Sequence, residues 1–399
     1  MIGTRRVTSA RVHVRRPSNP AEPALTDVAA PSTARHTPAA AAAASDASRA
    51  PSRRLPFIDA LRGIAALWVL IFHIAEGGQI AALQAVLPSW VNLTVFKFGH
   101  FGVPIFFVLS GFVIALSIND DRVTLRYIGR FALRRAIRLD LPYWASIAIT
   151  LAFVAIKARM LPQENVPIAT VPQVLAHLFY LQEFLGYREI NAVFWTLCYE
   201  VQFYLMFCAL IGLAQAFRRT EADQWPLAIV FALTAVVSII WPLTPSLDVR
   251  GLALPNWHGF LLGAFVYWTL KGRMSTGGVA LYSTALLGMF AVTRDSFTLV
   301  CLATATLILL VGRADRLRMW LSGSTLQFLG RISYSIYLLH LPVVGAAFFV
   351  LNKLLPRTPA MDLLAGLIVI AVTCGAAQLF WWVVERPSTV LARRLRKRE

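Results

Sequence analysis

The sequence predicts an all-α integral membrane protein of about ten transmembrane helices, with both termini in the cytoplasm. Three observations predict it. Of 399 residues, 57% are hydrophobic and only 15% charged, where a soluble domain is about a quarter charged, and mean hydropathy is +0.63. Apolar runs of helical length recur from Phe57 onward, each near the ~20 residues that cross a hydrocarbon core. The basic residues, 38 against 20 acidic, gather in alternate loops. In a soluble chain the resulting +18 would suggest a nucleic-acid partner. Arranged loop by loop it is the positive-inside pattern, and no nucleic acid is expected.

Residues 1–52 differ from the rest of the chain. They hold 14 Ala, six Pro and seven Arg against three acids. They lack the apolar centre of a secretory signal, and their prolines would break a transit-peptide helix. This is expected to be a disordered cytoplasmic arm. Residues 53–390 then form a membrane domain and 391–399 a basic cytoplasmic tail. Spans are expected near 57–76, 99–118, 139–158, 192–214, 226–242, 252–270, 277–293, 296–312, 332–352 and 361–384. An even number returns the chain to its starting side. With the N-terminus inside, the inner segments carry 29 basic residues and the outer ones eight, with Arg62 inside a span. The Ala- and Arg-rich composition suggests a bacterial source, so the membrane is expected to be the bacterial inner membrane. The four cysteines lie in apolar runs without paired spacing, so they are expected to fill space rather than form disulfides or bind a metal.

Ionisable groups inside spans are costly and therefore become site candidates. In the first span, the eleven steps from Arg62 to His73 end only about 20° from a whole number of turns, and Asp59 lies about 40° to the other side. All three share one face, with ~16 Å of rise between Arg62 and His73. In the fourth span, Phe194 and Trp195 stand at the beginning and Glu200 enters from outside at a depth comparable to His73, where a carboxylate could orient an imidazole. Ser110-Gly111 in the second span suggests close helix packing. Arg122, Arg126, Arg130, Arg134, Arg135 and Arg138 lead into the third span. Six arginines without a lysine exceed what anchoring needs and suit phosphate oxygens, which arginine forks grip bidentately. The ninth span carries Ser333, Tyr334 and, at mid-membrane, His340, and Glu385 closes the tenth. These last could serve a site or a polar packing seam.

Arg62-x10-His73, the GVPIFFVLSGF run, Arg138-x3-Pro142, Trp195-x4-Glu200-x2-Phe203-Tyr204, SYSIYLLH and Glu385-x-Pro387 occur one after another in this order. Together they resemble the acyltransferase type 3 family of ten-helix membrane acyltransferases, over roughly residues 55–388. Thr196 stands where members often have Ser, which keeps the hydroxyl. No hydrolase-like domain is expected after the last helix. The resemblance implies transfer of an acyl group, commonly acetyl, from a cytoplasmic acyl-CoA to a hydroxyl of a carbohydrate or glycosylated acceptor. Acyl-CoA is expected as a donor substrate, with no bound cofactor and no metal. In this reading His73 is the general base, Glu200 orients it, and Arg62, Arg134, Arg135 and Arg138 hold the donor. Asp59, Trp195, Ser110, Tyr334, His340 and Glu385 are further site candidates. The rival is a proton-coupled transporter or exporter of a small molecule or acylated sugar, which the same intramembrane Arg, His and Glu would suit. Against it, the chain shows neither repeat symmetry nor paired interrupted helices.

Overall fold

The computed structural model describes residues 54–118, 123–164, 166–220, 223–247 and 249–397; the arm expected over 1–52 lies outside them. The described residues contain helices and no strand. Ten long helices occur in order: α1 Pro56–Glu76, α2 Gly102–Ser117, α3 Leu125–Met160, α4 Trp195–Ala216, α5 Trp225–Ile240, α6 Trp257–Leu270, α7 Thr276–Thr293, α8 Ser296–Arg313, α9 Ser324–Leu354 and α10 Pro359–Phe380, with a basic helix α11 over Arg386–Lys397. Proline at the first turn starts α1 and α10, where its missing N–H costs nothing. The hydroxyls of Thr124, Ser275 and Thr358 cap α3, α7 and α10 by accepting N–H bonds from the first turn. Each expected span has its helix. The chief difference is at α3, which begins at Leu125, so the arginine-rich stretch from Arg126 onward is helical rather than loop.

Among the described residues, nine helices are long and apolar enough to cross a membrane. The short α6, 14 residues, does not reach that length. Parity shows that it crosses nonetheless. At one end, Gln327 of α9 donates to the Pro56 carbonyl at the start of α1. At the other, Asn352 of α9 donates to Gln79 just beyond α1 at 2.9 Å. So α1 and α9 run parallel, and an odd number of helices must cross between them, where the long apolar ones number six. Only with α6 included are there seven. Its surroundings fit a core element, since every residue from Trp257 to Trp268 is buried. The chain is an all-α, multi-pass membrane protein.

With no hydrophobic drive between helices in lipid, close backbone approach at small residues does the packing. A Cβ on Gly63 of α1 would stand 2.6 Å from the Gly330 nitrogen of α9, and one on Gly111 of α2 would collide with the Phe260 carbonyl of α6. The expectation of close packing at Gly111 is met. Two helices carry internal prolines, Pro142 in α3 and Pro342 in α9. Each removes the N–H that would bond the carbonyl four residues earlier, which in hydrocarbon must find another donor. Ser388 Oγ lies 3.4 Å from the Arg138 carbonyl, and Asn191 Nδ2 lies 3.4 Å from that of Leu338. Each vacated acceptor thus faces a side-chain donor from another segment, at the long end of hydrogen-bond distance. The four cysteines are free, three of them buried.

Candidate active site

Six helices enclose a cavity of about 80 Å³. Arg62 comes from α1, Phe106 and Ser110 from α2, Arg135 and Arg138 from α3, Thr196, Glu200 and Tyr204 from α4, Phe260 from α6, and Ser333, Tyr334 and Tyr337 from α9. The helical start of α3 explains how two arginines of the cluster reach it. Arg135 and Arg138 are three apart and share a face, which turns inward. Arg135 lies with its guanidinium carbon 4.4 Å from the centre of the Tyr204 ring, a cation–π placement that holds the fork flat. Ser110 donates to Glu200 at 2.9 Å. Arg138 is within Coulombic reach of Arg62, Arg135, Glu200 and Glu385, and Glu385 accepts from Ser335 at 2.6 Å. Three cations share this low-dielectric space with two carboxylates. The surplus positive charge favours an anion, because buried charge is tolerated chiefly when paired.

At the outer end of the cavity, Thr196 Oγ1 and the Tyr337 hydroxyl are 2.7 Å apart, and both also reach the Val193 carbonyl. The Tyr337 ring is 5.9 Å from that of His340, one turn further along α9. His340 in turn is 5.1 Å, ring to ring, from His73 of α1. His340 is fully buried. Its Nδ1 lies 2.8 Å from the Tyr337 carbonyl and so carries the proton, while Nε2 has no partner. A line of polar side chains therefore runs from the arginines through Tyr334 and Tyr337 to two imidazoles.

The structure separates one expected pair. His73 Nδ1 is 3.0 Å from Glu76 Oε2 on its own helix, whereas Glu200 bonds Ser110 and faces the arginines. Glu200 therefore does not orient His73. Depth in the membrane comes from counting residues along a helix, but which neighbour a side chain meets depends on how the helices rotate against one another. Of the expected donor residues, Arg62, Arg135 and Arg138 line the cavity and Arg134 does not; Arg134 has a partner elsewhere. Ser110 and Tyr334 line it as well, and the Tyr334 hydroxyl donates to the Leu139 carbonyl at 3.0 Å. Trp195 packs edge-on to Tyr199, 5.3 Å between centres, outside the lining. The Asp59 backbone sits against Gly330 at the α1–α9 crossing, and its side chain does not line the cavity. Glu385 stands behind Ser335. Sequence reasoning missed Glu76 and Tyr337. The first was visible as a carboxylate one helical turn after His73, and the second shares a helix face with Tyr334 and His340. Among the described residues no group of three or more His, Cys, Asp and Glu could hold a metal ion.

Comparison with known proteins places this geometry. The chain is 30% identical over 370 residues to the acyltransferase MdmB of Streptomyces mycarofaciens, covering 86% of this chain and 94% of that one. It is 30% identical over 292 residues to the exopolysaccharide production protein ExoZ of Rhizobium meliloti, covering 69% and 86%. With the O-acetyltransferase OatA of Staphylococcus aureus it shares 23% over 324 residues, 73% of this chain but 51% of that protein. No solved structure matches the chain. The profile of the acyltransferase domain matches residues 55–382, which takes in all ten long helices, the cavity and both imidazoles, and the chain belongs to the acyltransferase type 3 family.

Proposed function

We propose that this protein is an O-acyltransferase of the bacterial inner membrane. It would move an acyl group, acetyl in the simplest case, from cytoplasmic acyl-CoA to a hydroxyl of a carbohydrate or glycosylated acceptor. The observation that carries the reading is the continuity between an arginine-lined cavity and the His340–His73 pair. Anion-binding groups stand at one end of a polar path and a base at the other. An O-acetyltransferase and an exopolysaccharide production protein among its relatives support the reaction and the acceptor class.

In this reading Arg135 and Arg138 hold phosphate oxygens of the donor through charge-assisted bonds, and Arg62 guides the acyl-bearing arm outward. Glu200 and Glu385 keep the three forks apart and oriented when no phosphate is present. With Glu76 accepting from Nδ1–H, His73 carries its lone pair on Nε2. Nε2 takes the proton of the acceptor hydroxyl as its oxygen attacks the thioester carbonyl. The C–O bond forms, the carbonyl pair moves onto oxygen, and collapse of the tetrahedral intermediate breaks the C–S bond. The imidazolium returns its proton to the leaving thiolate. The Tyr337 hydroxyl, shared between the cavity and the imidazole side, is the donor placed to stabilise the oxyanion. Purified protein with radiolabelled acetyl-CoA tests the reading. Transfer to the carbohydrate fraction of the host, lost in His73→Ala, is expected. Absence of any thioester cleavage would favour the transporter alternative.

A further inference from the structure

A second pocket lies beside His73, toward the outer end of α1 and away from the arginines along the helix axis. Its volume is about 470 Å³, and Phe72, Glu76, Gln84, Ser89, Asn92 and Phe96 are among the side chains around it. It is built from the end of α1, the short helix Ala81–Val86 and the short helical segments over 89–101 that lead into α2, all on the side that the loop charges assign to the exterior. Its floor is fixed. Asp362 of α10 accepts from the Ala82 and Leu83 amides at 2.9 and 3.2 Å, and Asn92 donates to the Gln84 carbonyl at 2.8 Å.

The lining reads as a site for a neutral polyhydroxylated ring. One carboxylate, two carboxamides and a hydroxyl supply donors and acceptors, and two phenyl rings supply flat apolar faces. Lys97 balances Glu76, so the wall carries no net charge, in contrast to the arginine cavity. Glu76 belongs to both places: one carboxylate oxygen bonds His73 Nδ1, yet its side chain is 58% exposed. The carboxylate that sets the imidazole tautomer is therefore also on the pocket wall.

We propose that this outer pocket is the acceptor site, that it takes a sugar ring from the non-cytoplasmic side, and that Glu76 is the positioning residue for His73. The inference rests on the acyltransferase reading above. Donor and acceptor then meet at His73 from the inner and outer sides, so the acyl group alone crosses the membrane plane while the nucleotide stays inside. Glu76 acts through the ring. Bonded to Nδ1–H it fixes the ring and leaves the lone pair on Nε2.

Two measurements test this with the full chain, one in whole cells and one in membranes prepared from them, each read as base-labile labelled acetate in the carbohydrate fraction. In the first, Ser89→Cys cells are treated from outside with a membrane-impermeant sulfonated thiol reagent. Incorporation should fall about tenfold relative to the same cells untreated, while treated wild-type cells, whose cysteines are buried or half-buried, keep theirs. Full modification of Cys at position 89, checked by mass spectrometry, with undiminished incorporation overturns the acceptor site and leaves the pocket to lipid. In the second, membranes of Glu76→Gln should show turnover lowered about tenfold or more with the acetyl-CoA KM unchanged, and Glu76→Asp should recover part of the rate. A general loss of fold would move KM and expression together and would not respond to Asp. Wild-type turnover in Glu76→Gln overturns the positioning role. If His73→Ala retains wild-type incorporation, it is the base reading that fails, whatever the first experiment gives.

Discussion

The arginine cavity and the His73 pocket are built in opposite ways. The cavity draws polar side chains from residues 62 to 337, over six helices, and concentrates charge inside the helix bundle. The pocket is lined wholly by residues 72–97, one stretch of chain, and balances one cation with one anion. Charge assembled from many helices is expensive to bury and persists where it meets opposite charge from a ligand. A neutral pocket made from one local stretch of short helices can change without rebuilding the contacts among the six helices of the cavity. The difference suggests a division of labour: a shared donor end set in the bundle and an acceptor end free to vary.

The largest effect should fall on the outer side of this division. His73→Ala is expected to lower acyl transfer by about 10² or more, the usual contribution of a general base, with normal membrane insertion. Glu200→Gln should leave that step intact, because its partners are Ser110 and the arginines; measured at saturating donor, its turnover should stay within a fewfold of wild type. Equal losses in the two variants would merge the two regions into one catalytic unit and break the comparison.

Between them stands Tyr337. Tyr337→Phe removes one hydroxyl without changing the ring that packs 5.7 Å from Phe106. If that hydroxyl meets the oxyanion, turnover falls by about 10² at unchanged donor KM. If it only braces Thr196 and the Val193 carbonyl, thermal stability falls and turnover does not.

The inner side should respond in affinity. Arg135→Ala and Arg138→Ala each remove a charge-assisted bond of ~1.5–3 kcal/mol, so donor KM should rise about tenfold or more while turnover at saturation changes little. Added salt should weaken wild-type donor binding and affect the variants less. Arg134→Ala, outside the cavity, is the internal control and should leave donor KM near wild type.

Much of the molecule was legible in the sequence, for identifiable reasons. Span positions come from hydropathy, and the shared face of Arg62 and His73 comes from 100° per residue. Both are properties of a single helix. Even α6, too short by length alone, was visible as an apolar run, and loop charge parity required it. The partner of Glu200 was not legible, because it depends on how α2, α3 and α4 rotate against one another, which no single-helix pattern encodes. Nor was the inward turn of Arg135. Arg134 was expected beside Arg135 and Arg138, but the cavity takes only the latter two. Glu76 is a different kind of miss. Its spacing from His73 was available, and attention to intramembrane groups alone passed over an exposed carboxylate at the helix end.

The smallest expected effect sharpens the comparison through the two prolines. Pro142 lies beside the arginine end and Pro342 beside the imidazoles, and each leaves one carbonyl to be met by Ser388 or Asn191. At 3.4 Å both bonds are long, and the net value of such a bond is about 1 kcal/mol or less. The two sites differ in what else they hold. The single Ser388 hydroxyl proton lies closer to the Glu385 carbonyl of its own segment, at 2.8 Å, and serves the Arg138 carbonyl only weakly, so Ser388→Ala should cost little stability, and any loss should appear as a small rise in donor KM through Arg138. Asn191 is buried and also accepts from the Val193 amide at 3.3 Å. Val193 is the residue whose carbonyl receives Tyr337 and Thr196. Asn191→Leu therefore strands the Leu338 carbonyl in the core and loosens the turn under Tyr337, so its stability loss should exceed that of Ser388→Ala, by about 1–2 kcal/mol. Its functional cost should fall on turnover rather than donor KM. Thermal unfolding in detergent together with the two kinetic constants decides it. A rise in donor KM for Asn191→Leu would mean that the arginine and imidazole ends are coupled through α9, and are not the separable regions their construction implies.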